Sequence, residues 1–337
     1  MSPPAGIKGV AARAGVSVGT VSNVLNRPEL VAAATRERVL VAMRELSFVR
    51  NESARQLRAG RSRMIGLVVL DVSNPFFTDI ARGAEEAAYA AGLAMLLCSS
   101  DERAEKEQRY LDLFEEQRVQ GVLISPVGDG GAELARLRRR GTPVVLVDRV
   151  SPRKLSCSVA VDDVHGGDLA VSHLIDGGHT RLAYVGGPAG LTQVKDRLAG
   201  ARRALERAGR KRDSLVVIDT ALTTVADGRA AGARLATMAA SKRPTGVFCA
   251  NDLIALGLLQ ELMRRGLTVP GDIAIVGYDD IEFAAAAAVP LSSVRQPRHE
   301  LGRKAAELLI EEATEPDSHR HSHVLFQPKL VVRESSS

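Results

Sequence analysis

From Met64 onward, short uninterrupted apolar runs alternate with longer stretches of helical periodicity, and this constrains the fold more than any other feature of the chain. The runs are 64–70, 93–98, 121–124, 144–147, 159–161, 182–185, 215–218, 246–249 and 273–276. Between them lie amphipathic stretches at 79–91, 104–117, 132–140, 166–176, 198–208, 226–238 and 253–266. A run apolar on both sides suits a strand covered on both faces, and strands separated by helices pair in parallel. The spacing therefore predicts an α/β core of two lobes, dividing around Val161 and Asp162. Ligands of open parallel sheets bind beyond the carboxyl ends of the strands. Polar residues stand there: Asp71 to Asn74, Asp148 and Arg149, Asp162 and Asp163, Asn251 and Asp252, and Asp279 and Asp280.

The first sixty residues have a different character. Ile7, Val10, Ala11 and Ala14 recur at the three- and four-residue spacing of one helix face, and Gly15 ends that helix because glycine takes positive φ without steric cost. Ser17 then offers an oxygen to the free amides of a second helix, whose inner face is Val21, Val24 and Leu25. Its outer face is Val18, Gly19, Thr20, Ser22 and Asn23. Two short helices joined by a glycine turn are the layout of a helix-turn-helix that reads DNA. A third helix is predicted at 34–46, a short segment of helix formers at 51–58, and a linker ending near Arg63.

Charge supports the DNA reading. Residues 1–62 hold ten Lys or Arg against four acids, a surplus of +6, whereas the whole chain carries +5, so residues 63–337 sit near −1. Phosphate neutralisation would act where the surplus lies. No apolar run reaches membrane-spanning length, and the first residues lack the pattern of a secretory signal, so a cytoplasmic protein with no membrane partner is expected. Cys98, Cys157 and Cys249 are odd in number and far apart, which argues against a disulfide framework and suits small buried hydrophobes. His319, His321 and His323 alternate in a polar stretch read as a solvated loop, with no metal or cofactor expected.

Several motifs together resemble the LacI/GalR (lactose-repressor, galactose-repressor) family over essentially the whole chain. They are Val-Ala-x-x-Ala-Gly-Val-Ser at 10–17, Thr-Val-Ser-x-Val-Leu-Asn at 20–26, Thr-Arg-Glu-Arg-Val at 35–39, Ala-Arg-Gln-Leu-Arg at 54–58 and Asn-Pro-Phe-Phe at 74–77. Further on stand Cys-Ala-Asn-Asp at 249–252, Gly-Tyr-Asp-Asp at 277–280, Val-Arg-Gln-Pro at 294–297 and Leu-Val-Val-Arg-Glu-Ser at 330–335. The resemblance implies a helix-turn-helix headpiece at 1–50, a hinge helix and linker at 51–63, and a periplasmic-binding-protein-like effector and dimerisation core at 64–337. It also implies lobe crossings near Leu291 and His323, giving one lobe of 64–161 plus 292–322 and another of 162–291 plus 323–337.

Carried over by motif, Val18, Gly19 and Asn23 face base edges, and Ser17, Thr20, Ser22 and Asn26 face phosphates. Leu57, with Arg58 beside it, matches the hinge leucine that wedges into the minor groove. Effector contact falls to Phe76, Phe77, Asp148, Arg197, Asn251, Asp279 and Gln296, a set of carboxylates, amides, a guanidinium fork and aromatic rings suited to a sugar. Three departures stand out. Gly9 replaces a usual aspartate, Ala32 to Ala34 replace the hydroxyl that caps the third helix, and Arg50 replaces a hinge proline. No aromatic stands near Thr223 and Thr224, where purine-responsive relatives offer one, which favours a sugar or sugar derivative over a planar base.

The expected protein is a repressor whose two identical headpieces read a near-palindromic double-stranded operator as a homodimer, under control of that small molecule. No leucine heptad follows Arg333, so no coiled-coil tetramer is expected. A solute-binding transport protein shares the core architecture, but the basic headpiece counts against it. An enzyme is the remaining alternative. Val185-Gly-Gly-Pro-Ala-Gly190 after a run lacks phosphate-loop spacing, and no nucleophile elbow is present.

Overall fold

The computed structural model describes residues 6–48, 62–128, 131–151 and 155–337. The chain divides into two units, Met1–Gly60 and Arg61–Ser337.

In the first unit α1 spans Ile7–Ala14 and ends at Gly15, whose φ of 63° is the left-handed value predicted for the turn. Helix α2, Val18–Asn26, opens under Ser17, whose hydroxyl accepts the Thr20 amide at 3.1 Å. A single 3-10 turn at Pro28–Leu30 leads to α3, Ala33–Glu45. Val10, Val21 and Val39, one from each helix, are fully buried together and set the helices around one small core. The N-cap of α3 is Ala32, with no side chain to satisfy the first amides.

The second unit follows the predicted alternation closely. In order it contains β1 (Met64–Val69), α4 (Pro75–Ala90), β2 (Ala94–Ser99), α5 (Ala104–Glu116), β3 (Val122–Ile124), α6 (Gly131–Arg139), β4 (Val144–Val147) and β5 (Ser158–Val161). Then come α7 (Asp163–Asp176), β6 (Leu182–Gly186), α8 (Thr192–Arg207), β7 (Val216–Asp219), α9 (Val225–Ala236), β8 (Gly246–Cys249), α10 (Asp252–Arg264), β9 (Ala274–Asp279) and the single turn α11 (Glu282–Ala285). The remainder is β10 (Ser292–Arg295), α12 (Arg298–Thr314), β11 (His323–Phe326) and β12 (Lys329–Val331). Among the described residues the strands form two six-stranded sheets, ordered β11-β5-β4-β3-β1-β2 and β12-β10-β9-β8-β6-β7. Only β12 runs antiparallel to its neighbour.

The last strands correct the expected lobe crossings. β10 pairs with β9 and stays in the second sheet, while β11 pairs with β5 in the first. The chain therefore crosses at Gln296 and Pro297, not at Leu291, and returns at Gln327 and Pro328, not at His323. Residues 292–295 and 323–326 change lobe accordingly. The reason is that β10 is polar by composition yet buried. Ser293 donates to Asp252 Oδ1 at 2.7 Å and Ser292 donates to the Arg333 carbonyl at 2.9 Å, so hydrogen bonds replace the apolar signature of a central strand.

Three helix pairs, α4 with α12, α7 with α8 and α9 with α10, touch backbone to backbone through reciprocal glycines. Gly167 and Gly200 serve the α7 to α8 crossing. A methyl group on Gly167 would lie 2.8 Å from the carbonyl carbon of Arg197, and nearer still to its oxygen. That crossing places Arg197.

Candidate nucleic-acid interface and ligand cleft

In the first unit, Val18, Gly19 and Asn23 are exposed on α2, Val18 by 42 %, while Val21 and Val24 turn inward. A methyl group on Gly19 would meet only Ser17 Oγ, at an ordinary 3.6 Å. Among the described residues nothing requires glycine there, although glycine in a helix costs roughly 0.5–1 kcal/mol against alanine. The residues expected at phosphates are engaged with one another. Ser17 Oγ and Thr20 Oγ1 lie 2.9 Å apart, and Asn26 Nδ2 donates to the Ser22 carbonyl at 2.9 Å and to Ser22 Oγ at 3.3 Å. Arg13 on α1 bonds Glu45 on α3 at 2.6 Å. Leu57, Arg58 and Arg50 lie outside the described residues.

In the second unit, Phe76, Phe77, Asp148, Arg197, Asn251 and Asp279 converge on one cleft at the carboxyl ends of both sheets. The parallel topology brings them there. Asn74 caps α4 by accepting the Phe76 amide at 3.0 Å, and Asn251 caps α10 by accepting the Ile254 amide at 2.9 Å. Phe76 and Phe77 pack edge to face with centroids 4.9 Å apart and are buried, so they wall the cleft. Gln296 stands behind it, donating to Asp279 Oδ1 at 2.7 Å.

Arg197 is the electrostatic centre. Its Nε donates to Asp163 Oδ1 at 2.7 Å, its Nη1 donates to the Ala250 carbonyl at 2.7 Å and lies 3.8 Å from Asp279 Oδ1, and its guanidinium stacks 3.7 Å above the Tyr278 ring centroid. Burial opposes its charge, but Asp163, Tyr278, Asp279 and Asp148 together outweigh that and push its pKa up. One guanidinium cannot neutralise three buried carboxylates. Burial, reinforced by Asp163, pushes Asp148 well above the usual carboxylate range, and burial lifts Asp279 to about 6 against the opposing pull of Arg197. Asp148 and Asp279 also take left-handed backbone, at φ of 57° and 102°. Strain of this kind in non-glycine residues gathers at functional sites.

Sequence reasoning missed two participants. Gln193 Nε2, from the start of α8, donates to the Asp148 carbonyl at 2.8 Å and to Asp148 Oδ2 at 2.9 Å. Glu102, a few residues beyond β2, accepts from Thr223 Oγ1 at 2.9 Å. Burial raises Glu102 to about 6 in spite of that bond, and its Oε2 has no partner. These two bridges tie the lobes across the cleft. Glu102 carries the same signal as the other cleft residues, a polar side chain just past an apolar run. Gln193 lies behind a Gly-Gly-Pro loop that hides its link to β6. The bridged cleft encloses only about 40 Å³, space for roughly three waters and none for a sugar ring.

A three-helix unit with an exposed α2 face, joined in sequence to a two-sheet core with a polar cleft, has the architecture of a helix-turn-helix regulator on a periplasmic-binding-protein-like body. Residues 6–51 match the model of the bacterial regulatory proteins, lacI family, and residues 171–336 match the periplasmic binding protein-like domain. The chain is 34 % identical over 331 residues to the HTH-type transcriptional repressor PurR of Aliivibrio fischeri (strain MJ11), covering 98 % of this chain and 97 % of that one. Among solved structures it is similar to the lac repressor dimer bound to operator and the anti-inducer ONPF, at 27 % identity and a TM-score of 0.85 over 99 % of each chain. It is also similar to the transcriptional regulator CelR in complex with cellobiose, at 32 % identity and a TM-score of 0.72, covering 98 % of this chain and 99 % of that one. The chain belongs to the LacI family of bacterial regulatory proteins. It is a DNA-binding transcriptional repressor and not an enzyme. Among the described residues no helix is long and apolar enough to cross a membrane.

Proposed function

We propose that the repressor binds a near-palindromic operator as a homodimer and is switched by a sugar or sugar derivative held between the core lobes. The observation that carries the sugar reading is the lining of the cleft. Asp148, Gln193, Arg197, Asn251 and Asp279 alternate acceptors and donors around the walls of Phe76 and Phe77, which suits a ring with neighbouring hydroxyls. The similar regulator CelR, solved with cellobiose, supports this class. Among the described residues no aromatic lines the Thr223 side, so a planar base would lack a second ring to stack on.

The effector's hydroxyls would replace the two bridges, Gln193 to Asp148 and Thr223 to Glu102, so binding and lobe geometry are one equilibrium. On DNA, Asn23 would read an adenine edge, Val18 a thymine methyl, and Gly19 would allow close approach of the backbone. Ser17, Thr20, Ser22 and Asn26 would meet phosphates, and Leu57 with Arg58 would open the minor groove. Such a protein works in the cytoplasm, where the operator is.

The test has two arms. Selection from random duplexes with the full chain should return a near-palindrome, and Asn23→Ala should relax the preference at one base per half-site with an unchanged salt slope. An unaltered preference would remove Asn23 as a reader. A thermal-shift panel of pentoses, hexoses, disaccharides and purine bases should give a saturable rise with a sugar. A rise with a purine base alone would replace the sugar reading.

A further inference from the structure

The segment 315–322, expected to be a solvated loop, folds back so that the His319 side chain is only 2 % exposed. It meets Cys157, which immediately precedes β5, and Glu312, in the last turn of α12. His319 Nε2 is 3.1 Å from Cys157 Sγ, and His321 Nδ1 is 3.8 Å from the same sulfur. Glu312 Oε2 is 3.8 Å from each of those two nitrogens. All four donor atoms lie within 4.8 Å of one another.

We propose that Cys157, Glu312, His319 and His321 form a structural site for a divalent transition ion of the zinc class. Zinc bonds of about 2.0–2.3 Å to nitrogen, oxygen and sulfur place tetrahedral ligands about 3.3–3.8 Å apart. The observed separations straddle that range. Direct hydrogen bonding accounts for the set less well. Glu312 Oε2 is buried and has no hydrogen-bond partner, although it points at two imidazole nitrogens and a thiol.

The surroundings also fit. Glu311 Oε1 lies 3.4 Å from His319 Nδ1, on the far side of the ring, without hydrogen-bond alignment in this structure, and a small rotation would make it the orienting carboxylate that metal-bound histidines commonly meet. The Ser322 amide donates to Cys157 Sγ at 3.3 Å, as backbone amides do to a thiolate. Thiolate and imidazole donors select zinc, cobalt or copper over magnesium and calcium. Binding would release the Cys157 thiol proton to solvent, and four protein donors would leave no open position for chemistry.

The site lies at the amino-terminal edge of the first sheet, opposite the ligand cleft, and joins three segments of chain. The ion's role would be to pin α12 and the edge strand β11 against β5.

The test uses the full chain without a histidine tag, stripped with chelator and desalted. One equivalent of cobalt should produce a sulfur-to-cobalt charge-transfer band in the near ultraviolet together with the visible bands of tetrahedral cobalt, and zinc should displace both. Cys157→Ser should abolish the charge-transfer band. His321→Ala, at the more exposed donor, should weaken cobalt binding at least about tenfold, and Glu311→Gln should weaken it by about tenfold. No band at stoichiometric cobalt would overturn the proposal, as would equal binding by the parent, Cys157→Ser and His321→Ala. His321→Ala keeps the test decisive should Cys157→Ser fail to fold.

Discussion

Replacing Gly167 by alanine puts a methyl group into the backbone of α8 without touching the ligand cleft. The new carbon would sit 2.8 Å from the Arg197 carbonyl carbon and 3.0 Å from its Cα, whereas non-bonded carbons settle at about 3.5–4.0 Å. No rotamer change relieves a clash between two backbones. The helices must part by about 1 Å, and Gly200, which meets the Val164 carbonyl in the reciprocal contact, loses its close packing as well. Overpacking of this kind costs about 1–3 kcal/mol, and an unrelieved backbone clash belongs at the upper end. For a core of this size about 3 kcal/mol corresponds to a fall of roughly 6 °C in Tm.

The same displacement acts on function. Arg197 donates to Asp163 and to the Ala250 carbonyl at 2.7 Å each. A shift of about 1 Å takes both bonds beyond useful length. Gly167→Ala should therefore lower Tm and also abolish the effector-induced thermal shift. Gly131→Ala, where an added methyl meets nothing within 4 Å, should do neither. A Gly167→Ala protein melting within about 1 °C of the parent would refute the backbone contact. One that melts low but keeps full effector affinity would refute the claim that this crossing positions Arg197.

Two further predictions follow from the caps and the buried carboxylates. Ala32→Ser supplies the hydroxyl that α3 lacks, and should stabilise the headpiece by about 1 kcal/mol, read in the full chain as roughly fivefold slower amide exchange across α3. Glu102 and Asp279 both titrate near 6 in the folded chain, above their unfolded values, so the folded state binds their protons more tightly. Their contribution to stability is complete at low pH and is lost as pH rises through about 6. Glu102→Gln keeps an acceptor for Thr223 but removes the charge, so it should raise Tm at pH 8 more than at pH 5. Equal shifts at both pH values would rule out a buried charge at this position.

The legibility of this chain in its sequence follows from which interactions use side-chain type and which use geometry. The headpiece turn was readable because Gly15 and Ser17 do local work, one by taking positive φ and the other by capping α2. Seven of the nine apolar runs were readable because central parallel strands are buried on both faces, while the other two, at β2 and β7, are apolar edge strands with partial exposure. β10 escaped because its serines are satisfied by Asp252 and Arg333, partners 41 residues away in sequence. α12 carries an ordinary helical period at Leu301, Ala305, Leu308 and Leu309, yet its place in the first lobe depends on the crossing at Gln296, which no local pattern marks.

The cleft divides in the same way. Its strand-end carboxylates and amides were visible as polar residues after apolar runs, but the Gln193 bridge depends on how the lobes close. The Cys157 cluster is the extreme case. Cys157 lies more than 150 residues from Glu312, His319 and His321, and only the pairing of β11 with β5 brings the histidine segment beside the cysteine. Alternating histidines in a polar stretch are bland as sequence. A parallel edge strand whose amino-terminal end abuts a buried thiol makes them a candidate coordination set, which is why metal content, and not further sequence comparison, decides their role.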